Sequence, residues 1–176
     1  MIIASKAAVL AATLAMAQAA APAPAPAPAP ASPIIALPLN PVVASDKRGC
    51  TAKTASGLGY TVLRPGAAGA ARPTMNDVVL INYIGYLAAD GAVFDQAMQT
   101  PMGVADVIGG FGEGMTLAAK GSVVRLCIPS ALGYGAQGTG PIPGNADLVF
   151  QVELIDFKSK AELEAMRKAA EAPAAK

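Results

Sequence analysis

Any chemistry in this chain has to be done without histidine, because the 176 residues include none. That excludes His-based triads, histidine general bases and His-ligated metals. Asp90, Asp95, Asp106 and Glu113 are scattered through the middle of the sequence. Spacing alone leaves carboxylate pairs for glycoside chemistry open, but Asp90 is explained by a turn with Gly91 and no recognisable motif frames the others. The run Gly109-Gly110-x-Gly112-x-Gly114 is glycine-rich. It lacks the following lysine and the strand-turn-helix setting of a phosphate loop. What remains is a set of aromatic and aliphatic residues beside turns: Tyr83, Phe94, Val107, Ile108, Phe111, Tyr134, Ile142 and Phe150. Each alone reads more readily as core than as site. The segment "GYGAQGTGPIPGNADLVF" sharpens the question, since it sets Tyr134 and Ile142 among glycines and prolines that a plain linker would leave without bulk.

The elements that must position these residues are mostly strands. "GLGYTVL" alternates Leu58, Tyr60 and Val62 on one side, a half-buried strand. "DVVLINYIGYL" is a longer run of β-branched and aromatic residues. Asp90-Gly91 makes a tight turn back into "AVFDQ". "GSVVRLCIP" and "ADLVFQVELIDF" are two more strands, and Leu148, Phe150, Val152 and Leu154 share one face of the last. Gly112 to Gly121 is predicted to form a short helix, with Lys120 in its last turn and Gly121 as its stop. The fold class is therefore α+β: an antiparallel twisted sheet wrapped around one short helix that covers its apolar face.

The ends differ from the middle. "MIIASKAAVLAATLAMAQA" carries Lys6, an apolar run and an Ala17-Gln18-Ala19 cleavage pattern, and reads as an export signal over residues 1–19. Residues 20–48, opening with alternating Ala-Pro, are expected to be an extended spacer. The domain is placed at 49–158. Ser159-x-x-Glu162 is a capping box that opens a short helix in the 159–176 tail. No apolar stretch beyond the leader is long enough to span a bilayer. With 13 basic and 12 acidic residues the chain lacks the basic excess that nucleic-acid binding needs. Cys50 and Cys127 could close a long loop in an oxidising compartment. Alternatively, Cys127 is simply buried within its strand and Cys50 is free; spacing does not decide between these.

The ordered motifs "VVLINYIGYLAADGAVFDQ", "VIGGFGEGM" and "VRLCIPSALGYGAQGTGPIPGNADLVFQVELIDF" resemble the FK506-binding (FKBP) type of peptidyl-prolyl cis-trans isomerase, over roughly residues 57–158. The resemblance implies an FKBP-like fold, rotation of X–Pro bonds in exported proteins by binding the twisted amide in an apolar pocket, and no cofactor or metal. It assigns Asp95, Tyr134 and Phe94 to catalysis, and Tyr83, Val107, Ile108, Phe111, Ile142 and Phe150 to substrate binding. The Ile108 N–H and the Tyr134 hydroxyl would bond ligand carbonyls. Implied partners are unfolded or partly folded proteins with X–Pro bonds, and FK506-like macrolides. Three departures from the family pattern stand out. Phe111 replaces the usual floor tryptophan, implying a deeper or looser pocket. Met102 or Val104 stands where a wall phenylalanine is frequent. Gly144 replaces a common second proline, implying a looser loop tip. A proline-binding chaperone module with little turnover is the alternative reading.

Overall fold

The computed structural model describes Ile34 and residues 42–171. The leader and the Ala-Pro tract lie outside the described residues. Six strands form one sheet: β1 (Ala52–Lys53), β2 (Gly59–Arg64), β3 (Asp77–Leu87), β4 (Val93–Gly103), β5 (Val123–Ile128) and β6 (Leu148–Ser159). Their order is β1-β2-β5-β6-β3-β4, and every neighbouring pair is antiparallel. Among the described residues two α-helices accompany the sheet, α1 (Gly109–Leu117) and α2 (Lys160–Glu171). This is the expected α+β plan with one more strand than the sequence showed, since β1 is only two residues long.

Alternation along the central strands builds the core. Leu148, Phe150, Val152 and Leu154 of β6 face the same side as Leu126 and Val124 of β5, and Phe111 and Met115 of α1 cover them. The close fit depends on glycine. A Cβ on Gly110 would lie 2.6 Å from Ile128, and one on Gly114 would collide with the Leu126 side chain. Glycine in a helix interior costs ~1 kcal/mol of helix propensity relative to alanine, yet here two of them, four residues apart on one face, let the helix axis approach the sheet. The glycine run that resembled a weak phosphate loop is a packing surface.

The helix itself starts three residues and ends four residues earlier than the predicted Gly112–Gly121. Ile108 is extended (ψ 145°), and its carbonyl accepts from the Phe111 and Gly112 N–H groups, so the helix starts at Gly109. It stops at Leu117, because Ala118 turns extended and the Lys120 N–H leaves to bond the Ala71 carbonyl. Gly121, at φ 80°, shapes the turn into β5 and is not the helix stop.

The returning strand β4 is also longer than "AVFDQ" and runs through to Gly103. Pro101, which has no N–H, is tolerated because β4 is an edge. A bulge interrupts its pairing with β3, where Gln99 adopts φ 49° and its N–H donates to the Asn82 side chain at 2.8 Å.

A larger difference concerns the expected spacer. Residues 42–48 are packed on the sheet. Val43 is buried with Ile84, Tyr86 and Val149 on the sheet face opposite α1. Its N–H donates to the Gly91 carbonyl at 2.8 Å, and Arg48 donates to the Val43 and Ala89 carbonyls at 2.8 and 2.9 Å. The Tyr86 hydroxyl, fully buried, donates to the Lys47 carbonyl at 2.6 Å. Burial pushes that phenol up to about 12, against the opposing pull of Arg125 and Arg48. Directly after this strap, Cys50 is disulfide-bonded to Cys127 of β5, with Cα atoms 6.1 Å apart.

Beyond β6, the Ser159 hydroxyl and N–H both donate to the Glu162 carboxylate at 2.7 and 2.8 Å, and the Glu162 N–H donates back to Ser159 Oγ at 3.1 Å. These bonds, the side-chain one foremost, hold the Glu162 carboxyl below its ordinary range. The resulting α2 buries none of its residues, and Met166 is exposed.

Because the disulfide closes a loop with a sequence separation of 77 residues, its loss should be costly. A Cys50→Ser/Cys127→Ser double variant is expected to lose ~2–4 kcal/mol in urea unfolding. An unchanged midpoint would show that the strap's hydrogen bonds alone hold residues 42–50.

Candidate functional site

The start of α1, the β3–β4 edge and the glycine-rich loop after β5 enclose a cavity of about 630 Å³. All nine residues singled out from the sequence line it: Tyr83, Phe94, Asp95, Val107, Ile108, Phe111, Tyr134, Ile142 and Phe150. Met102 lines it too, whereas Val104 is buried in the core beneath. That resolves which of the two stands on the pocket wall.

Phe111 is almost fully buried, and its ring meets Phe150 edge-to-face at 5.0 Å between centroids. Phe94 meets Phe150 at 5.5 Å and 80°, and Tyr83 meets Phe111 at 6.3 Å and 79°. Edge-to-face contacts of this kind set ring orientation as well as adding apolar area. Gly85 makes the cluster possible. It lies between Phe150 and Phe94 where a Cβ would come within 2.6 and 2.8 Å of their rings. Gly85, which falls within the quoted run "VVLINYIGYL", thus shapes the site by giving two of its rings room.

Polar groups are few. The Tyr83 hydroxyl donates to Asp95 Oδ2 at 2.7 Å. Burial first, and then the neighbouring carboxylate, hold the Tyr83 phenol above its usual range, so it remains a donor. Tyr134 is 39% exposed, and neither its hydroxyl nor the Ile108 N–H makes a hydrogen bond among the described residues. Both residues line the cavity and leave these donors without a protein partner among the described residues. Asp106, Thr139, Gly140 and Pro141 also line it. Asp106 is one of the scattered carboxylates noted in the sequence; nothing in the residue types of the other three singles them out.

The loop carrying Tyr134 and Ile142 is built as firmly as a strand pair. Thr139 and Ile142 exchange backbone hydrogen bonds at 2.9 and 2.8 Å around Gly140-Pro141, and Asn145 donates to the Gly135 carbonyl at 2.8 Å. Gly144 was expected to loosen the tip. Instead it lies against the Ala136 carbonyl, which a Cβ at this position would strike. The residue is small because two backbone segments meet there.

The profile of FKBP-type peptidyl-prolyl cis-trans isomerases matches residues 69–155. FK506-binding protein 2 of Aspergillus fumigatus is 40% identical over 93 residues, covering 49% of this chain and 69% of that protein. The chain belongs to the FKBP-type peptidyl-prolyl cis-trans isomerase family. The FKBP-type isomerase FkpA of Aeromonas hydrophila is 37% identical over 124 residues, 68% of this chain and 45% of the relative. Among solved structures, FkpA from Escherichia coli superposes with a TM-score of 0.58 at 36% identity, over 61% of this chain and 51% of that one. The chain spans about half the length of these two FkpA proteins.

Replacing Gly85 with alanine is expected to cost ~1–3 kcal/mol by overpacking, with near-ultraviolet circular dichroism changing as Phe94 and Phe150 move apart. Wild-type stability and an unchanged aromatic signal would mean the rings have room that the structure does not show.

Proposed function

We propose that this FKBP domain accelerates rotation about X–Pro bonds in exported proteins, and that the cavity over Phe111 is where it does so. The observation that carries the reading is the pairing of an aromatic floor with two free donors, the Ile108 N–H and the Tyr134 hydroxyl, contributed by separate segments. Amide rotation faces a barrier of roughly 18–20 kcal/mol because resonance is lost as the bond twists. Catalysis then requires only that the twisted amide be bound better than either planar form. About 4 kcal/mol of such preference corresponds to roughly a thousandfold acceleration.

An apolar wall favours the twisted form, which has less charge separation than the planar amide and gives up less solvation. The proline ring rests on Phe111 between Tyr83, Phe94, Val107, Ile142 and Phe150. The two donors fix flanking carbonyls and so hold the peptide while the bond turns. Asp95 keeps the Tyr83 hydroxyl in place and sets a negative charge at the edge of the cavity, facing the carbonyl that leaves its plane. No nucleophile, cofactor or metal is required.

Substrates in this reading are unfolded or partly folded chains with X–Pro bonds, and FK506-like macrolides are competitive ligands. The leader-like residues 1–19 and the Cys50–Cys127 disulfide support an exported, periplasmic setting, because such bonds persist where the environment is oxidising. Among the described residues, no helix is long and apolar enough to cross a membrane.

The test is the refolding of a protein limited by proline isomerisation. The purified chain is expected to raise the slow-phase rate in proportion to its concentration, with FK506 competing. Phe94→Ala and Asp95→Val should each lower kcat/KM at least ~10-fold, a loss of ~1.4 kcal/mol or more in transition-state binding. Refolding at the background rate would refute the reading, and tight peptide binding without acceleration would favour a chaperone module.

A further inference from the structure

The polar groups on the cavity wall are unbalanced in charge. Among the described residues, two carboxylates, Asp95 and Asp106, line it, and no lysine or arginine does. Asp95 is engaged by the Tyr83 hydroxyl. Asp106 is not held in that way. It stands two residues before the Ile108 donor, exposed at the mouth, with its carboxylate folded over Gly103, where even a Cβ would clash with it. Among the described residues its one cationic contact is Lys160 at 3.5 Å, and both side chains are more than half exposed. Lys160 opens α2, where the positive end of the helix dipole disfavours a cation. A long, exposed pair of this kind holds its partners weakly.

We propose that Asp106 is a specificity-determining residue that selects a lysine or arginine next to the substrate proline, with Lys160 as the resident cation that the substrate displaces. This rests on the cavity being the peptide site. A peptide bonded to the Ile108 N–H passes along the 104–108 segment, so the side chain flanking the proline meets Asp106. A basic side chain there replaces Lys160 at little cost, while an acidic one leaves Lys160 in place and faces two carboxylates against that single exposed cation. Because the contact is at the rim, its effect on affinity is modest, ~2- to 5-fold between basic and neutral neighbours at low salt. It should disappear in about 1 M NaCl, where charges are screened beyond ~3 Å.

The experiment measures peptide dissociation constants for the full chain by fluorescence anisotropy. Labelled peptides carry Lys, Leu or Glu immediately before or immediately after a single proline. In at least one position Lys is expected to bind tightest and Glu weakest. Asp106→Asn should remove the difference, and Lys160→Met should widen it. Equal affinity of the Lys and Glu peptides in both positions overturns the proposal, as does a preference that survives Asp106→Asn. Turnover of the Leu peptides, followed by NMR exchange, reports separately on the isomerase reading, so a failure of one is distinguishable from a failure of the other.

Discussion

The close approach of α1 to β5 is the constraint on which the rest of this structure depends. Gly110 and Gly114 have no side chain to hold the helix away from Ile128 and Leu126. At that depth Phe111 becomes a floor in edge contact with Phe150. The same placement brings the helix start to the cavity, so that the Ile108 N–H, which the helix does not use, points to a ligand position in the proposed mechanism. Any larger residue at Gly110 or Gly114 would lift the floor and move the donor together. Weak helix propensity is accepted for the sake of geometry.

The second constraint lies on the other sheet face. A half-covered sheet would leave Ile84, Tyr86 and Val149 in water, and the strap from Val42 to Cys50 covers them. Strand β3 links the two sides, because it points Tyr86 to the strap while Tyr83 lines the cavity and Gly85 makes room for the Phe94 and Phe150 rings. Since the Tyr86 phenol is raised to about 12, it stays protonated in the folded chain above pH 10, where the unfolded chain loses that proton. Its contribution to stability is therefore complete below about pH 10 and declines as pH rises toward 12.

Much of this was legible in the sequence, and for physical reasons. Strict alternation at Leu148, Phe150, Val152 and Leu154 can only be a strand with one face against a core. The cavity residues were legible through ordered motifs, since each aromatic sits at a fixed distance from a turn. What was hidden had no periodicity to betray it. The strap at 42–48 uses backbone hydrogen bonds and one buried valine, which look like linker in sequence. The helix was placed late because its first turn is nearly all glycine, which propensity reads as loop. Gly144 was read as slack, because sequence shows a missing side chain and not the carbonyl that occupies its place.

In the proposed mechanism one cavity binds the X–Pro unit and turns its amide while donors from two segments hold it. Proton–nitrogen NMR of the labelled chain with a short Leu-Pro peptide tests this most directly, because shifts and cis-trans exchange are read in one sample. Shifts are expected to centre on Ile108, Phe111, Tyr134 and Ile142, together with peptide exchange faster than the uncatalysed tens to hundreds of seconds. Shifts centred away from the cavity, or exchange that remains at the uncatalysed rate while the cavity is occupied, would contradict it.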